Sequence, residues 1–182
     1  MIKKIYKENE RLKKLVYLDY LTKLYNRRGL TEIGERYFAS LKKYPKTRNR
    51  RKKEIKFLSI IFLDIDDFKK INDVYGHERG DKVLRSFASF LLSNFRQTDI
   101  VGRFGGEEFV ILLINTPEAI AKKVAEKARS KIESNLFNGL KLTVSVGVLM
   151  AKREKNFKEL INKADKLMYL AKKRGKNQVV CL

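Results

Sequence analysis

Residues 103–109 read RFGGEEF, two glycines and two glutamates between apolar flanks. Both flanks have the β-branched and aromatic composition of buried strands, since Ile100 and Val101 precede the stretch and FVILLI continues it to residue 114. Glycines permit positive φ and close backbone approach, so the stretch predicts a β-hairpin that carries Glu107 and Glu108 near its tip. Taken alone, the GGEEF motif favours a charged, solvent-exposed turn over a functional site.

Residues 57–67, FLSIIFLDIDD, predict a buried strand that ends in acids. Asp64 and Asp66 would share one face if the strand continues through them. Mg²⁺ is typically held by one or two carboxylates together with substrate phosphates, and Asp64 with a hairpin glutamate supplies such a pair. The alternative is that Asp66 or Asp67 caps the helix that follows.

Residues 68–81, FKKINDVYGHERGD, place polar recognition groups among turn glycines. The Asn72 amide and the Asp81 carboxylate suit the edge of guanine better than that of adenine, and Lys69 could meet a phosphate. The alternative is that Asp81 is the N-cap of the next helix and that His77 is an ordinary loop residue.

In this order and at this spacing, the chain resembles the GGDEF domain, the diguanylate cyclase family. The resemblance runs from about residue 19 to the C-terminus, and four ordered blocks are far more specific than one motif. The blocks are DYLTKLYNRR (19–28), DIDDFKKIND with the following GH and GD pairs (64–81), GGEEF (105–109), and ADKLMYLAK with GKN (164–177).

The resemblance implies an enzyme with a palm-like α/β fold that condenses two GTP into cyclic di-GMP and releases two pyrophosphates. It implies that Asp64, Glu107 and the Ile65 carbonyl bind Mg²⁺, for which Mn²⁺ could substitute. Glu107 and Glu108 would be catalytic, with electrostatic assistance from Arg103. Nucleotide binding would comprise guanine recognition by Asn72 and Asp81 with His77 nearby, and triphosphate contacts from Lys69, Lys172, Lys176 and the backbone around Phe68.

A homodimer is part of the implied reaction, because one site holds half of the reactants and two domains must meet face to face. Upstream of the hairpin, Arg96 and Asp99 resemble the family's product-inhibition site, since Arg pairs with phosphate and Asp accepts from guanine N–H groups. An Arg and an Asp three residues apart also occur as a surface ion pair of little energetic consequence.

Two positions depart from the family pattern. Lys23 replaces a common glycine in the L-T-G-L block, which puts coupling to an upstream segment in question more than chemistry. Lys176 replaces the arginine of the final G-R-N block, which keeps the positive charge but loses bidentate phosphate geometry.

Composition agrees with one domain, since 182 residues with 43% hydrophobic content suffice for a single core. The lone Cys181 excludes an internal disulfide. No signal peptide is apparent, and no apolar run approaches the roughly 20 residues of a membrane span. We therefore expect a cytoplasmic protein without a membrane-spanning segment.

The net charge of +21 is concentrated at the flanks. Residues 57–151 carry 13 Lys and Arg against 12 Asp and Glu, whereas residues 42–56 carry nine basic residues and one acid. We expect the basic segment to be a solvated loop that attracts GTP or adheres weakly to anionic lipid or RNA, without specific nucleic-acid recognition.

Apolar residues at helical spacing from Ile2 to Val16 predict an amphipathic helix over residues 1–18, ahead of a cyclase domain over residues 19–182. Such a helix either follows an upstream sensor domain and serves signalling or dimerisation, or packs on its own domain. The alternation of elements predicts a mixed sheet flanked by helices. The predicted helices are 1–25, 28–43, 67–74, 80–95, 117–135 and 157–173, with a hairpin over 99–114 and strands at 56–65, 141–151 and 177–182.

Two other function classes remain open at this point. A catalytically silent module that binds GTP or cyclic di-GMP would usually have lost motif residues, but every metal and guanine position is filled. A basic nucleic-acid-binding protein would show steeply salt-dependent affinity for DNA or RNA.

Overall fold

The computed structural model describes residues 16–42 and 55–182. Five helices and five strands follow one another in the order α1, β1, α2, α3, β2, β3, α4, β4, α5, β5 within that part of the chain. The helices are α1 (Arg27–Lys42), α2 (Phe68–Tyr75), α3 (His77–Asn94), α4 (Glu118–Ser134) and α5 (Phe157–Lys173). The strands are β1 (Leu58–Ile65), β2 (Ile100–Arg103), β3 (Glu108–Ile114), β4 (Val144–Met150) and β5 (Val179–Cys181).

The strands form one sheet in the order β2-β3-β1-β4-β5. Every pairing is antiparallel except that of β4 with β5. Strand β1 lies at the centre, and all eight of its residues are buried, as its long apolar run predicts. The mixed sheet with flanking helices confirms the predicted α/β fold.

The two faces of β1 contribute to two separate clusters of buried side chains. Ile61 and Leu63 pack on the side of α3 and α4, whereas Ile60 and Phe62 pack on the side of α1 and α5. This alternation is the period-2 geometry of a strand whose two faces are both covered. The sheet is therefore covered by helices on both faces, and the ends of its strands are free to carry the site.

The N-terminal prediction is wrong in one respect, because residues 18–25 form a turn instead of continuing a helix. Leu18 and Tyr25 form an antiparallel bridge, and the Asp19 N–H donates to the Leu24 carbonyl at 2.8 Å. Lys23 adopts a φ of 61°, a left-handed conformation that a glycine takes without steric cost. The turn thus explains why a glycine suits this position.

Two predicted segments lie outside the described residues. They are residues 1–15 of the expected amphipathic helix and residues 43–54 of the basic segment. Among the described helices, none is long and apolar enough to cross a membrane.

Candidate active site

The end of β1 and the glycine turn of the hairpin lie side by side. The antiparallel register pairs Asp64 with Glu108, and the Ile65 N–H donates to the Glu107 carbonyl at 3.2 Å. Asp64 from one part of the sequence and Glu107 and Glu108 from another therefore converge at one edge of the sheet, where β1 ends.

Asp64 is buried, with a side chain only 4% exposed. Its Oδ2 pairs with Lys172 Nζ of α5 at 2.8 Å, whereas its Oδ1 is buried without a hydrogen-bond partner. Burial raises the pKa of Asp64 to about 6, and the Lys172 ammonium opposes part of that rise. A buried carboxylate oxygen without a donor is costly unless a cation or ligand completes it.

The donors at this edge fit a hard divalent cation. No cluster of three or more His, Cys, Asp or Glu side chains suited to a metal occurs in the described ranges. Mg²⁺, however, commonly uses one or two carboxylates and completes its shell with water and substrate phosphates. The carboxylates of Asp64 and Glu107 with the Ile65 carbonyl supply an oxygen-only set of that kind.

Glu108 lies half-buried beside the same edge. Burial raises its pKa, and the neighbouring Asp165 and Glu107 carboxylates raise it further. A β-carbon on Gly105 would meet the end of the flexible Glu108 side chain, so the glycine lets that carboxylate lie against the turn. Neither glycine of the turn adopts a positive φ, in contrast to the reason expected from the sequence.

Arg103 braces the hairpin turn from within. Its guanidinium donates to the Gly106 carbonyl at 2.7 Å and pairs with Asp19 Oδ1 at 3.1 Å. Although burial raises the pKa of Asp19, hydrogen bonds from Thr22 and Arg103 hold it below its ordinary value. The geometry thus ties Arg103 to the turn of residues 18–25, and the proposed electrostatic assistance to catalysis stays a prediction.

Asp66 stabilises the end of β1 from the inside. Its carboxylate accepts from Ser145 Oγ at 2.6 Å, Thr143 Oγ1 at 2.8 Å and the Asn177 N–H at 3.1 Å. Asp67 precedes α2, but its side chain makes no capping hydrogen bond. The helix-capping role considered for these two acids is therefore not realised.

Basic residues expected to hold a triphosphate surround the start of α2. Lys176 Nζ pairs with Asp67 Oδ2 at 2.8 Å. The hydrogen bonds from Lys176 and Lys70 lower the pKa of Asp67 to about 2. Lys172 reaches Asp64 from the other side, and Lys69 is exposed on α2. The buried Phe68 begins the helix, so its backbone N–H groups face the same region.

The expected guanine-binding residues come from two adjacent helices. α3 begins at His77, three residues earlier than predicted, so Asp81 lies inside the helix and is not its N-cap. A β-carbon at the buried Gly80 would collide with Asn72 Oδ1, which places the Asn72 amide against α3 at the residue that precedes Asp81. His77 is exposed in the first turn. The structure thus brings Asn72 and Asp81 together.

Arg96 and Asp99 line a cleft of about 160 Å³ between α3 and α4, well apart from the Asp64 edge. The Arg96 N–H, rather than its guanidinium, donates to Asp99 Oδ2 at 3.1 Å. Asp99 Oδ1 is buried and accepts no hydrogen bond, and burial raises the pKa of this carboxyl. Lys127 and Lys131 of α4 line the same cleft.

Sequence reasoning missed several of these residues. For the Asp19–Arg103 pair, the sequence carried a local signal at Asp19. An Asp three residues before Thr22 can accept hydrogen bonds from that threonine and so form a side-chain turn. Lys127 and Asp165 carried no such local signal, because helix packing on the sheet is what brings Lys127 to the cleft at Arg96 and Asp165 to Glu108.

Comparison with known proteins agrees with this geometry. The family described as "Diguanylate cyclase, GGDEF domain" matches residues 16–178. Diguanylate cyclase DosC of Escherichia coli K12 is 38% identical over 169 residues, which are 90% of this chain and 35% of that protein. The chain thus spans about a third of the length of that relative.

Solved structures share the fold. The coiled coil and GGDEF domain of DgcB from Caulobacter crescentus, in complex with c-di-GMP, superposes with a TM-score of 0.87 at 23% identity and covers 100% of this chain and 93% of that one. The active GGEEF domain of a diguanylate cyclase from Vibrio cholerae gives a TM-score of 0.74 at 33% identity, covering 86% of this chain and 96% of that one. With a family match over most of its length and a relative of this identity, the chain belongs to the GGDEF diguanylate cyclase family.

Proposed function

We propose that this domain condenses two GTP molecules into cyclic di-GMP with release of two pyrophosphates. The observation that carries the proposal is the meeting of Asp64 and Glu107 at one sheet edge, with Asp64 Oδ1 buried and lacking a partner. The adjacent Asn72 and Asp81 offer a matched donor and acceptors for guanine. Family membership supports the same reaction.

Mg²⁺ or Mn²⁺ would be held by Asp64, Glu107 and the Ile65 carbonyl. When bound, such an ion supplies neutralisation of phosphoryl charge and activation of the attacking 3′ hydroxyl. This chain's own side chains supply the other groups. Glu107 and the half-buried Glu108 accept a proton at this edge, and Lys172 neutralises Asp64 from α5.

Substrate orientation falls to the residues around α2. Asn72 and Asp81 recognise guanine, with His77 nearby. Lys69, Lys172, Lys176 and the Phe68 backbone hold the triphosphate. Because one domain binds one GTP and each 3′ hydroxyl attacks the α-phosphorus of the facing nucleotide, two domains act as a homodimer.

Incubation with GTP and Mg²⁺, with products identified by chromatography and mass spectrometry, tests the reaction. We expect cyclic di-GMP from the unsubstituted chain, none from Glu107→Gln, and wild-type yield from Glu35→Gln, which alters an exposed glutamate of α1. GTP binding without product in the unsubstituted chain would instead support a silent sensor module.

Product inhibition is the second part of the proposal and rests on the cleft at Arg96 and Asp99. The buried, unpaired Asp99 Oδ1 is an acceptor for guanine N–H groups, and Arg96 supplies a phosphate partner. Arg96→Ala should weaken inhibition by added cyclic di-GMP about tenfold or more, as expected for loss of a charged hydrogen bond, without loss of turnover. An inhibition curve identical to that of the unsubstituted chain would exclude this site.

A further inference from the structure

The end of the sheet opposite the candidate active site is densely basic. Leu58 at the start of β1 pairs with Ile114 at the end of β3, and Ser59 pairs with Met150 at the end of β4. The loops and helix starts over residues 55–57, 115–123 and 151–158 therefore share one end of the molecule. We name these three segments the basic pole.

Exposed cations crowd the basic pole. Its segments contain seven basic residues and two acids, and each basic residue is exposed: Lys56, Lys122, Lys123, Lys152, Arg153, Lys155 and Lys158. Both acids are already engaged, because Glu118 pairs with Lys152 and the buried Glu154 accepts from two backbone N–H groups and from Lys163. The outward charge is thus strongly positive.

Apolar side chains accompany the charge. Phe57 is 38% exposed and Ile120 is 42% exposed, and both lie within the basic pole. Exposed apolar groups among Lys and Arg are the composition with which peripheral proteins contact a lipid headgroup region. An ordinary solvated face carries interspersed charges of both signs and does not need exposed aromatic and branched aliphatic side chains.

We propose that the basic pole binds the surface of an anionic lipid bilayer. Each cation near such a surface adds attraction, and Phe57 and Ile120 enter the interface between headgroups. Asp64 lies six residues along β1 from Leu58, about 20 Å away at the rise of a strand. A domain bound in this way keeps its active site facing water and open to GTP and to a second domain.

Nucleic acid is the less suitable anion. In the described segments of the basic pole, Phe57 is the sole exposed aromatic ring, too few for a platform on which bases stack. The surface is a set of loop and helix ends rather than a helix or ribbon shaped to enter a groove.

Sedimentation with vesicles tests the proposal without reference to catalysis. The vesicles are phosphatidylcholine with phosphatidylglycerol, against phosphatidylcholine alone. The test variant is Lys122→Glu with Lys158→Glu, at the fifth residue of α4 and the second residue of α5, near helix starts where an added acid is compatible with the helix dipole. The control, Lys141→Glu with Lys173→Glu, makes the same change of net charge at exposed positions outside the basic pole.

We expect binding to the anionic vesicles only, weakened by salt, and reduced at least about tenfold in the basic-pole variant but no more than about twofold in the control. Equal loss in both variants would show a general charge effect and overturn the proposal. Absence of vesicle binding, or binding to a random DNA or RNA duplex that is tighter than binding to the anionic vesicles, would overturn it as well.

Discussion

At the scale of residues, Asp64 shows a conflict between stability and chemistry. A buried carboxylate with one unpartnered oxygen is unfavourable for folding, and only the Lys172 pair offsets part of the cost. The sequence predicted its position, because an apolar run ending in acids is an unusual pattern. Its burial and its Lys172 partner could not be predicted from the residues alone, since they depend on how α5 crosses the sheet.

Asp64→Asn should make the metal-free protein more stable at neutral pH. The folded pKa of about 6 lies above the ordinary value of 3.8, so the folded state binds the proton more tightly, and stability is lost as pH rises from about 4 through about 6. Removing the charge should recover about 1 to 3 kcal/mol at pH 7.5 and little at pH 4.

Denaturant unfolding in the presence of a chelator at the two pH values measures this effect. Asp67→Asn is the matched control, since the pKa of Asp67 is lowered by lysine partners and its loss should bring no stabilisation. If Asp64→Asn were less stable than the unsubstituted protein at pH 7.5, the account of Asp64 as a buried charge that destabilises the fold would be contradicted.

At the scale of elements, the hairpin and the central strand were predictable because each contains a nearly continuous apolar run, rich in β-branched and aromatic residues, that is bounded by glycines or acids. The turn of residues 18–25 was not, since its letters also fit a continuing helix. It is held by the Asp19–Arg103 pair and by the Arg103 N–H donating to the Tyr25 carbonyl at 2.8 Å. These contacts join the residues before α1 to the glycine turn of the hairpin.

The contact of α2 with α3 gives a prediction at the same scale. Gly80→Ala should displace the Asn72 side chain and raise the KM for GTP by about 3- to 10-fold, the effect of one lost hydrogen bond to the base, with kcat little changed. Stability should be unchanged or slightly higher, because Ala favours a helix over Gly by up to about 1 kcal/mol.

Steady-state kinetics and thermal unfolding of the same protein measure both effects. Ser89→Ala, on the exposed side of α3, should leave KM unaltered. An unchanged KM in Gly80→Ala would contradict the assignment of Asn72 to the guanine site. A large loss of stability would show instead that Gly80 is needed for the packing of α2 against α3.

At the scale of the whole molecule, the domain has two unlike ends. One carries the acidic edge with Asp64 and Glu107, and the other is the basic pole. The overall order of elements followed from the alternating sequence pattern, but the separation of charge did not, because residues distant in sequence meet only when the sheet is assembled. In the proposed reaction a single acidic edge would hold one nucleotide, so the reaction needs a second copy of the domain.

The initial rate of cyclic di-GMP formation across protein concentration tests this account most directly. In the range where sedimentation shows a monomer, the account predicts a rate that rises with about the square of protein concentration and turns linear once dimers dominate. A rate strictly proportional to concentration throughout the monomeric range, or a product other than cyclic di-GMP, would contradict it.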